Sequence, residues 1–287
     1  MKIDIVSVFP EFFEVAQLSL LGKAQDKGIL QVQAHNLRDW THDVHHSVDD
    51  TPVGGGAGMV MKAEVWAECL DDLLGLSTSA PTQAQGTSPA DATGFTDRQP
   101  VLIFPNPSAP LFTQSAASEL SQAEHLIFGC GRYEGYDARI PTYYRRQGIQ
   151  TREYSIGDYI LNGGEAAVAV MVEAITRLIP GFMGNPNSII EESYTGDESL
   201  LEYRQYTRPS SWRGIEVPSI LTSGDHGKVD RFRRDESLEL TSRIRPDLIE
   251  HLDCNRLDIK DKNKLRDLGW NVDGSHPRHG TQGRSHL

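Results

Sequence analysis

The order of apolar segments in the first part of the chain constrains the fold more than any other feature. A short β-branched run over Lys2–Phe9 is followed by an amphipathic segment from Pro10 to Lys27 and then by a strand-like run over Ile29–Ala34. Pro10 is placed to open a helix and Gly28 to close it. Strand–helix–strand order predicts parallel strands joined by right-handed crossovers, and hence an α/β fold with a parallel sheet.

The same alternation continues as far as residue 179. Further strands are expected over Val101–Phe104, His125–Phe128 and Thr151–Ser155. Further helices are expected over Lys62–Leu76, Leu111–Ala123, Tyr136–Arg146 and Glu165–Ile179. These segments complete an α/β domain that is expected to span residues 1–183.

Two glycine-rich clusters follow expected strands. One covers Gly129–Asp137 and the other covers Tyr154–Glu165. Glycine permits sharp turns and close approach of the backbone to a ligand, although any single glycine is more often part of an ordinary turn. Because the clusters also carry Arg132, Glu134 and Asp158, together they predict one ligand pocket.

Residues 36–58 form a polar stretch with three histidines and a glycine run. His42, His45 and His46 lack neighbouring cysteines and a helical HExxH frame, so surface hydrogen bonding is a better interpretation than a metal site. The run Gly54–Gly58 lacks the Lys-Ser/Thr of a phosphate-binding P-loop and does not fit GxGxxG. A mobile loop that faces the substrate is the preferred interpretation.

The remaining segments divide the chain further. Residues 77–100 are rich in Ser, Thr, Ala, Gln, Gly and Pro without apolar periodicity, which predicts a disordered insertion. Residues 184–199 are polar and predict a flexible linker. A small all-α domain is expected over residues 200–270, before a disordered tail over 271–287. Its helical patterns lie at Gly227–Arg243, Arg245–Asp253 and Ile259–Trp270.

Charge is unevenly distributed along the chain. The formal net charge is −12, yet residues 201–287 hold 16 Lys and Arg against 14 Asp and Glu, while residues 1–200 hold 12 against 26. Only the C-terminal part can therefore offer a broad basic face, and Arg231–Arg234 contains its densest cluster. A solvated helix face is an equally good interpretation of that cluster.

The sequence also favours one compartment. No apolar run reaches the ~18 residues of a membrane helix, and Met1–Asp4 leads directly into a strand pattern without the features of a signal peptide. Cys69, Cys130 and Cys254 are too scattered for a disulfide framework or a CxxC zinc site. These features predict a cytoplasmic enzyme or binding protein without a membrane partner.

In combination, the motifs resemble the bacterial tRNA (guanine-N1)-methyltransferases of the SPOUT superfamily over residues 1–270. Each motif is weak alone, but their shared order and spacing argue against a chance match. The matching segments are Phe9–Glu11, Thr41–Asp43, Val48–Met59, Gly131–Gly135, Ser155–Leu161, Gly163–Glu165, Arg177, Ile179–Gly181 and Tyr206–Pro209.

This resemblance implies transfer of a methyl group from S-adenosyl-L-methionine to N1 of the guanosine just 3′ of the anticodon, at position 37 of tRNA. It further implies a C-terminal trefoil knot in the sheet domain and a homodimer whose active site is shared between subunits. The residues implied to bind the cofactor are Pro107, Gly131, Tyr133, Glu134, Ser155, Ile156, Gly157, Asp158, Tyr159, Ile160, Leu161, Gly163 and Gly164.

Methylation at guanine N1 needs a base for the N1 proton and a cation or donor for the charge that develops on O6. The resemblance assigns these roles to Glu192 and Arg177. The family usually has Asp at the position of Glu192, and Ser-Pro-Gln-Gly where this chain has Asn106–Ala109. The second departure concerns one contact of the cofactor loop. The sequence leaves open whether Mg²⁺ is required.

Contacts to tRNA are expected from both domains. Asp49 is a candidate to read the guanosine before the target, and the basic candidates are Arg208, Lys228, Arg231, Arg233 and Arg234. Two other classes compete with this interpretation. A Rossmann dehydrogenase is disfavoured because no GxGxxG follows the first strand. A non-catalytic RNA-binding protein of the same fold could lose Arg177 and the linker acids, which this chain retains.

Overall fold

The computed structural model describes residues 1–76, 99–185 and 192–279. The chain forms two compact units, Met1–Gly184 and Asn185–Leu287. The insertion expected over residues 77–100 lies outside the described residues except for its last two positions, and residues 186–191 of the expected linker lie outside them as well.

The first unit alternates strands and helices. Its strands are β1 (Lys2–Ser7), β2 (Gln31–Asn36), β3 (Asp49–Asp50), β4 (Val60–Met61), β5 (Val101–Pro105), β6 (His125–Gly129) and β7 (Gln150–Tyr154). Its α-helices are α1 (Ser19–Asp26), α2 (Ala63–Leu74), α3 (Gln114–Leu120), α4 (Arg139–Arg146) and α5 (Glu165–Thr176). Two 3-10 helices, Pro10–Gln17 and Leu37–Trp40, precede α1 and β3.

Five strands form one parallel sheet in the order β2-β1-β6-β5-β7. Strand β1 lies between β2 and β6, with Lys2 opposite Gln31 and His125. Strand β5 lies between β6 and β7, with Val101 opposite Gln150. The expected α/β fold with a parallel sheet is confirmed. Because the five strands run in one direction, their carboxyl ends meet at the same edge.

Alternate side chains of the strands enter two apolar layers. Ile3 and Ile5 join the layer that contains α3 and α5, whereas Val6 joins the layer that contains α2 and α4. Further buried members of the first layer include Val101, Ile103, Leu126, Phe128, Ala117, Val168, Met171 and Ile175. Those of the second include Leu102, Phe104, Ile127, Trp66, Leu70, Ile140 and Tyr144. Helices on both faces explain why β5 and β6 are almost continuously apolar.

The prediction of one helix from residue 10 to residue 27 is wrong. The chain forms a 3-10 helix, becomes extended at Leu18 (φ −97°, ψ 159°) and then begins α1. The break brings the two helices so close that a Cβ on Gly22 would lie 2.2 Å from the carbonyl oxygen of Gln17. It also leaves Phe12 and Val15 about half exposed, at 45% and 50%.

A buried carboxylate joins three strands of the sheet. The Asp4 side chain of β1 is fully buried, and its oxygens lie 2.8 Å from Nε2 of His35 on β2 and 2.6 Å from Nε2 of His125 on β6. Lys2 Nζ lies 2.7 Å away. Burial alone would raise the pKa of Asp4, but the hydrogen bonds from His125, His35 and Lys2 outweigh it and hold this pKa far below its usual value.

The second unit is mainly helical but not all-α. Its helices are α6 (His226–Ile244), α7 (Pro246–Glu250) and α8 (Ile259–Asp267), with a 3-10 helix at Ser219–Thr222. Two antiparallel pairs correct the all-α prediction: β8 (Ser211–Trp212) with β9 (Ile215–Glu216), and β10 (Trp270–Asn271) with β11 (Arg278–His279). Its core comprises Leu200, Leu238, Ile249, Leu252, Cys254, Leu257, Leu265, Trp270 and Val272.

Parts of the expected tail and linker make defined contacts within the second unit. Residues 271–279 belong to the second unit: Val272 is buried, and the backbone N–H of Cys254 donates to the carbonyl of Ser275 at 2.8 Å. Only residues 280–287 of the tail lie outside the described part. Residues 192–199 form turns, in which the backbone N–H of Tyr194 donates to the carbonyl of Leu200 at 3.0 Å. Short polar segments gave no apolar period to indicate this packing.

Candidate active site

A cleft of about 240 Å³ lies at the carboxyl ends of β5, β6 and β7. Ligands of open parallel sheets bind at this edge, where strand ends expose backbone donors and acceptors. The residues lining it are Pro105, Asn106, Pro107, Gly131, Tyr133, Glu134, Gly135, Tyr136, Tyr154, Ser155, Ile156, Gly157, Tyr159, Ile160, Leu161, Gly163, Gly164 and Ala167.

The two glycine-rich clusters meet inside this cleft. The backbone N–H of Gly164 donates to the carbonyl of Gly131 at 2.8 Å, and Arg132 forms an isolated antiparallel bridge with Gly163. A Cβ on Gly164 would lie 3.0 Å from the Cα of Cys130 and from the nitrogen of Gly131. Because both neighbours are backbone atoms, Gly164 is required for this close contact.

A buried ion pair holds the first cluster against the start of α5. Glu165, only 2% exposed, accepts hydrogen bonds from Ser7 Oγ at 2.7 Å and from Arg132 Nε at 3.1 Å. The Arg132 guanidinium also lies over the Phe9 ring, 4.6 Å from its centroid. These contacts join the end of β1 to both glycine clusters, whose neighbouring residues line the cleft.

Glu153 at the end of β7 joins three segments around the cleft. It accepts hydrogen bonds from Asn106 Nδ2 at 3.0 Å, from Tyr136 Oη at 2.9 Å and from Arg145 Nη2 at 2.6 Å. Burial alone would raise the pKa of Glu153, but these three hydrogen bonds outweigh it and lower this pKa. Asn106, part of the departure from the family sequence, therefore has a defined role in this protein.

Twelve of the thirteen residues expected to bind the cofactor line the cleft; Asp158 does not. Tyr133 adopts the left-handed conformation, with φ at 58°, and its ring is about half exposed. Sequence reasoning missed Pro105, Asn106, Gly135, Tyr136, Tyr154 and Ala167. Most of these are strand ends or neighbours of named residues, so extending each motif by one or two positions would have found them.

The glycine run Gly54–Gly58 lies beside the first cluster. The backbone N–H of Glu134 donates to the carbonyl of Met59 at 3.0 Å, and a Cβ on Gly58 would lie 2.4 Å from the Glu134 carboxylate. Asp49 pairs with Met61, whose backbone N–H donates to the carbonyl of Gly135 at 2.9 Å. The structure thus connects Asp49 to the wall of the cleft through β3 and β4.

The cleft lies at the beginning of α5, and Arg177 lies at the end of this helix. The cleft contacts the beginning of this helix through Gly164 and Ala167, whereas Arg177 follows its last residue, Thr176. A helix of this length spans about 18 Å. The backbone N–H of Arg177 donates to the carbonyl of Glu173 at 3.4 Å, as at an ordinary helix end, and its side chain is half-buried.

Glu192 belongs to the C-terminal unit. It contributes to a polar cleft there together with Glu198, Glu202, Asp230 and Arg233. Its carbonyl accepts a hydrogen bond from Thr195 Oγ1 at 2.6 Å, which fixes the turn that carries it.

The structure divides the basic candidates into two groups. Arg231 Nη1 and Arg234 Nη2 lie 2.8 and 2.7 Å from the Asp261 carboxylate, so both guanidinium groups join α6 to α8. Arg208 and Arg233 instead line an open cleft of about 470 Å³. Lys228 is exposed and lies 2.9 Å from Asp225 at the start of α6.

Two other predictions concern metals and membranes. His42 is paired with Glu68 at 2.6 Å on the surface. In the described ranges, no three His, Cys, Asp or Glu side chains are grouped as a metal site requires. None of the helices of the described residues has the length and apolar character needed to cross a membrane.

The sheet and its cleft define an α/β protein with an open cleft at the carboxyl ends of its central strands. Over residues 1–251 the chain matches the model of the family described as tRNA (Guanine-1)-methyltransferase TrmD. The protein belongs to this family.

Relatives named tRNA (guanine-N(1)-)-methyltransferase cover almost the whole chain. The one from Bifidobacterium longum (strain DJO10A) is 71% identical over 284 residues, covering 97% of this chain and 99% of the relative. The one from Bifidobacterium animalis subsp. lactis (strain AD011) is 70% identical over 278 residues, covering 97% and 98%. A more distant relative from Kineococcus radiotolerans is 48% identical over 276 residues, covering 96% and 94%.

Proposed function

We propose that this protein transfers a methyl group from S-adenosyl-L-methionine to N1 of the guanosine at position 37 of tRNA. Its membership of the methyltransferase family supports the reaction class. The observation that carries the proposal is the single cleft that the two glycine clusters form at the carboxyl ends of β5, β6 and β7. Asp49, which β3 and β4 connect to Gly135 in the wall of that cleft, is proposed to read the guanosine before the target.

The cleft suits the proposed cofactor. Ile156, Ile160 and Leu161 offer an apolar surface for the adenine ring, and Ile160 is 79% exposed, which a bound ligand would reduce. A Cβ on Gly131 would lie 3.2 Å from the Tyr136 ring, so glycine suits the close packing of these two lining residues. Bound at these residues, S-adenosylmethionine supplies an electrophilic methyl group to the target nitrogen.

Glu192 is proposed as the general base that accepts the N1 proton of guanine. Its turn is anchored in the C-terminal unit by Thr195 and by the hydrogen bond from Tyr194 to Leu200. Glutamate is one methylene longer than the usual family aspartate but has a similar intrinsic pKa. The competing interpretation is that this acid only solvates a polar turn.

Arg177 is proposed to stabilise the charge that develops on O6 of guanine. Its distance along α5 from its own cleft supports a contribution to the site of a second subunit. The competing interpretation is that its side chain binds the last carbonyls of α5.

A homodimer is therefore part of the proposal. The exposed apolar side chains of Phe12, Val15 and Leu18, which are 45%, 50% and 63% exposed, form a surface suited to a second copy. We also propose the trefoil knot typical of the SPOUT superfamily, supported by membership of the methyltransferase family, and a cytoplasmic location alongside tRNA.

Methyl transfer tests the function directly. The purified protein is incubated with methyl-labelled S-adenosylmethionine and tRNA transcripts that differ only in carrying G or A at position 37, and the nucleosides are separated after digestion. We expect N1-methylguanosine from the G37 transcript alone. Binding of tRNA without any transfer would favour the non-catalytic RNA-binding alternative.

A further inference from the structure

The C-terminal unit contains a β-hairpin in which a two-residue turn joins β8 to β9. Strand β8 pairs with β9, which places Trp212 opposite Ile215, and the turn consists of Arg213 and Gly214 with φ of 52° and 79°. Positive φ at both positions belongs to the tight turn whose twist matches the flanking strands. The turn therefore holds Trp212 and Ile215 side by side in a fixed register.

Large side chains of this hairpin face solvent. Trp212 is 58% exposed and Ile215 is 68% exposed. The guanidinium carbon of Arg213 lies 4.8 Å from the centroid of the Trp212 ring. A tryptophan with this exposure adds little to the core of its own unit, because aromatic side chains stabilise a fold through buried area. A partner that covers the ring would account for its position.

The surrounding segment is basic and aromatic although the chain is acidic. Residues 203–222 contain three arginines and one acidic residue, against a net charge of −12 for the whole chain. Tyr206, Arg208 and Arg233 line the adjacent cleft, and the Arg233 guanidinium lies 4.8 Å from the centroid of the Tyr203 ring. Neither Arg208 nor Arg213 forms an ion pair with a residue that the structure describes.

Cations that alternate with aromatic rings are typical of surfaces that hold unpaired nucleotides, where bases stack on the rings and phosphates contact the cations. We propose that the β8–β9 hairpin is a stacking platform for an unpaired base of the RNA substrate, with Trp212 as the ring and Arg213 as the adjacent cation. This inference rests on the proposed function and adds to it a binding site for RNA. RNA matches both the ring and the charge of this surface.

Two substitutions of one residue separate stacking from mere apolar contact. Trp212→Phe keeps an aromatic face, whereas Trp212→Leu keeps only apolar volume. Ile259→Ala is the matched control, because Ile259 is 66% exposed in the same unit. The probe is the G37 tRNA transcript, with affinity measured by filter binding, cofactor affinity by calorimetry and oligomeric state by sedimentation.

We expect Trp212→Leu to weaken tRNA binding about fivefold or more, which corresponds to the loss of one stacked base. Trp212→Phe should stay within about twofold of wild type, and Ile259→Ala should equal it. S-adenosylmethionine affinity should be the same in all four proteins. Transfer RNA should also quench tryptophan fluorescence in the wild type, and this quenching should decrease in Trp212→Phe, since Trp66 and Trp270 are buried, Trp40 is half-buried and Trp212 is 58% exposed.

Equal tRNA affinity for wild type and Trp212→Leu would overturn the inference, as would a wild-type protein that does not bind tRNA. A lighter sedimenting species for Trp212→Leu would also overturn it, because the hairpin would then contact a second copy of the chain. Since the readout is RNA affinity, the proposed methyl transfer can fail while the hairpin prediction holds, and the reverse.

Discussion

The absence of a side chain at Gly164 allows the two glycine clusters to contact each other. Its backbone lies against Cys130 and Gly131, and a Cβ would lie 3.0 Å from backbone atoms of both. Because backbone cannot rotate away as a flexible side chain can, an added methyl group must separate the two glycine clusters.

Gly164→Ala should therefore destabilise the fold by about 1–3 kcal/mol and weaken S-adenosylmethionine binding about tenfold or more. Gly184→Ala is the matched control, since a Cβ there would meet nothing within 4 Å. Thermal melting and calorimetric titration measure the two effects. Wild-type cofactor affinity in Gly164→Ala would show that the clusters tolerate separation.

Asp4 makes the stability of the sheet dependent on pH. Its pKa in the folded protein lies far below the ordinary value of 3.8 because of the hydrogen bonds from His125, His35 and Lys2. A lowered folded pKa stabilises the native state fully above the unfolded pKa, and that stabilisation is lost as pH falls below about 4 toward the folded pKa.

Asp4→Asn should remove this dependence. At pH 7 we expect the variant to be less stable by about 2 kcal/mol, the scale of hydrogen bonds to a charged group. Below about pH 4 the difference from wild type should shrink. Urea unfolding at a series of pH values gives both quantities, and a constant difference across the series would contradict the assignment.

Among the elements, β7 holds segments around the cleft together through Glu153. Its carboxylate is bonded to the loop after β5, to the first glycine cluster and to α4. Glu153→Ala should weaken S-adenosylmethionine binding about tenfold, because Asn106 and Tyr136 lose their common acceptor, and Glu153→Gln should have a smaller effect since it retains one acceptor oxygen.

Glu119→Ala is the control for this element. Glu119 of α3 forms a surface ion pair with Arg152, which belongs to β7 like Glu153. Ion pairs between such exposed side chains contribute little to stability. Calorimetry with the cofactor alone separates the two variants. If Glu119→Ala and Glu153→Ala bind equally well, the Glu153 contacts do not position the cleft.

The second unit carries arginines with two different roles. Arg234 binds the Asp261 carboxylate, which is 8% exposed, so Arg234→Gln leaves a buried charge short of a partner and should cost about 3 kcal/mol of stability. Arg208→Gln, outside α6, should leave stability unchanged and reduce the slope of log tRNA affinity against log salt by about 1. A normal melting temperature for Arg234→Gln would show that Arg234 does not stabilise the fold, and it would restore Arg234 as a candidate for tRNA binding.

At the scale of the whole molecule, the sequence predicts features that come from periodic apolar runs or from several motifs together. Buried strands such as β5 and β6 form continuous apolar runs, so the parallel sheet could be predicted, and its two glycine clusters identified most of the cleft. The break at Leu18 could not be predicted, because the apolar spacing of residues 10–27 suits one helix, and the close approach of Gly22 to Gln17 cannot be read from that spacing.

Polar segments were predicted least well. The β8–β9 hairpin and residues 271–279 have two-residue strands, too short to show alternation. Arg231 and Arg234 both pair with Asp261. Because Asp261 lies 27 residues beyond Arg234 in the chain, a local count of charges could not predict these ion pairs. The role of Glu153 likewise arises from three distant segments.

The proton transfer assigned to Glu192 is the step on which the account of catalysis depends. Single-turnover methyl transfer to the G37 tRNA transcript should be compared for wild type, Glu192→Gln and Glu202→Gln, since Glu202 lines the same cleft as Glu192. We expect Glu192→Gln to lose on the order of 100-fold in rate with tRNA and cofactor affinities retained, and Glu202→Gln to remain near wild type. Glu191 directly precedes Glu192 in the sequence, so Glu191→Gln is assayed as well. A wild-type rate for Glu192→Gln, or the same loss in Glu191→Gln instead, would contradict the assignment.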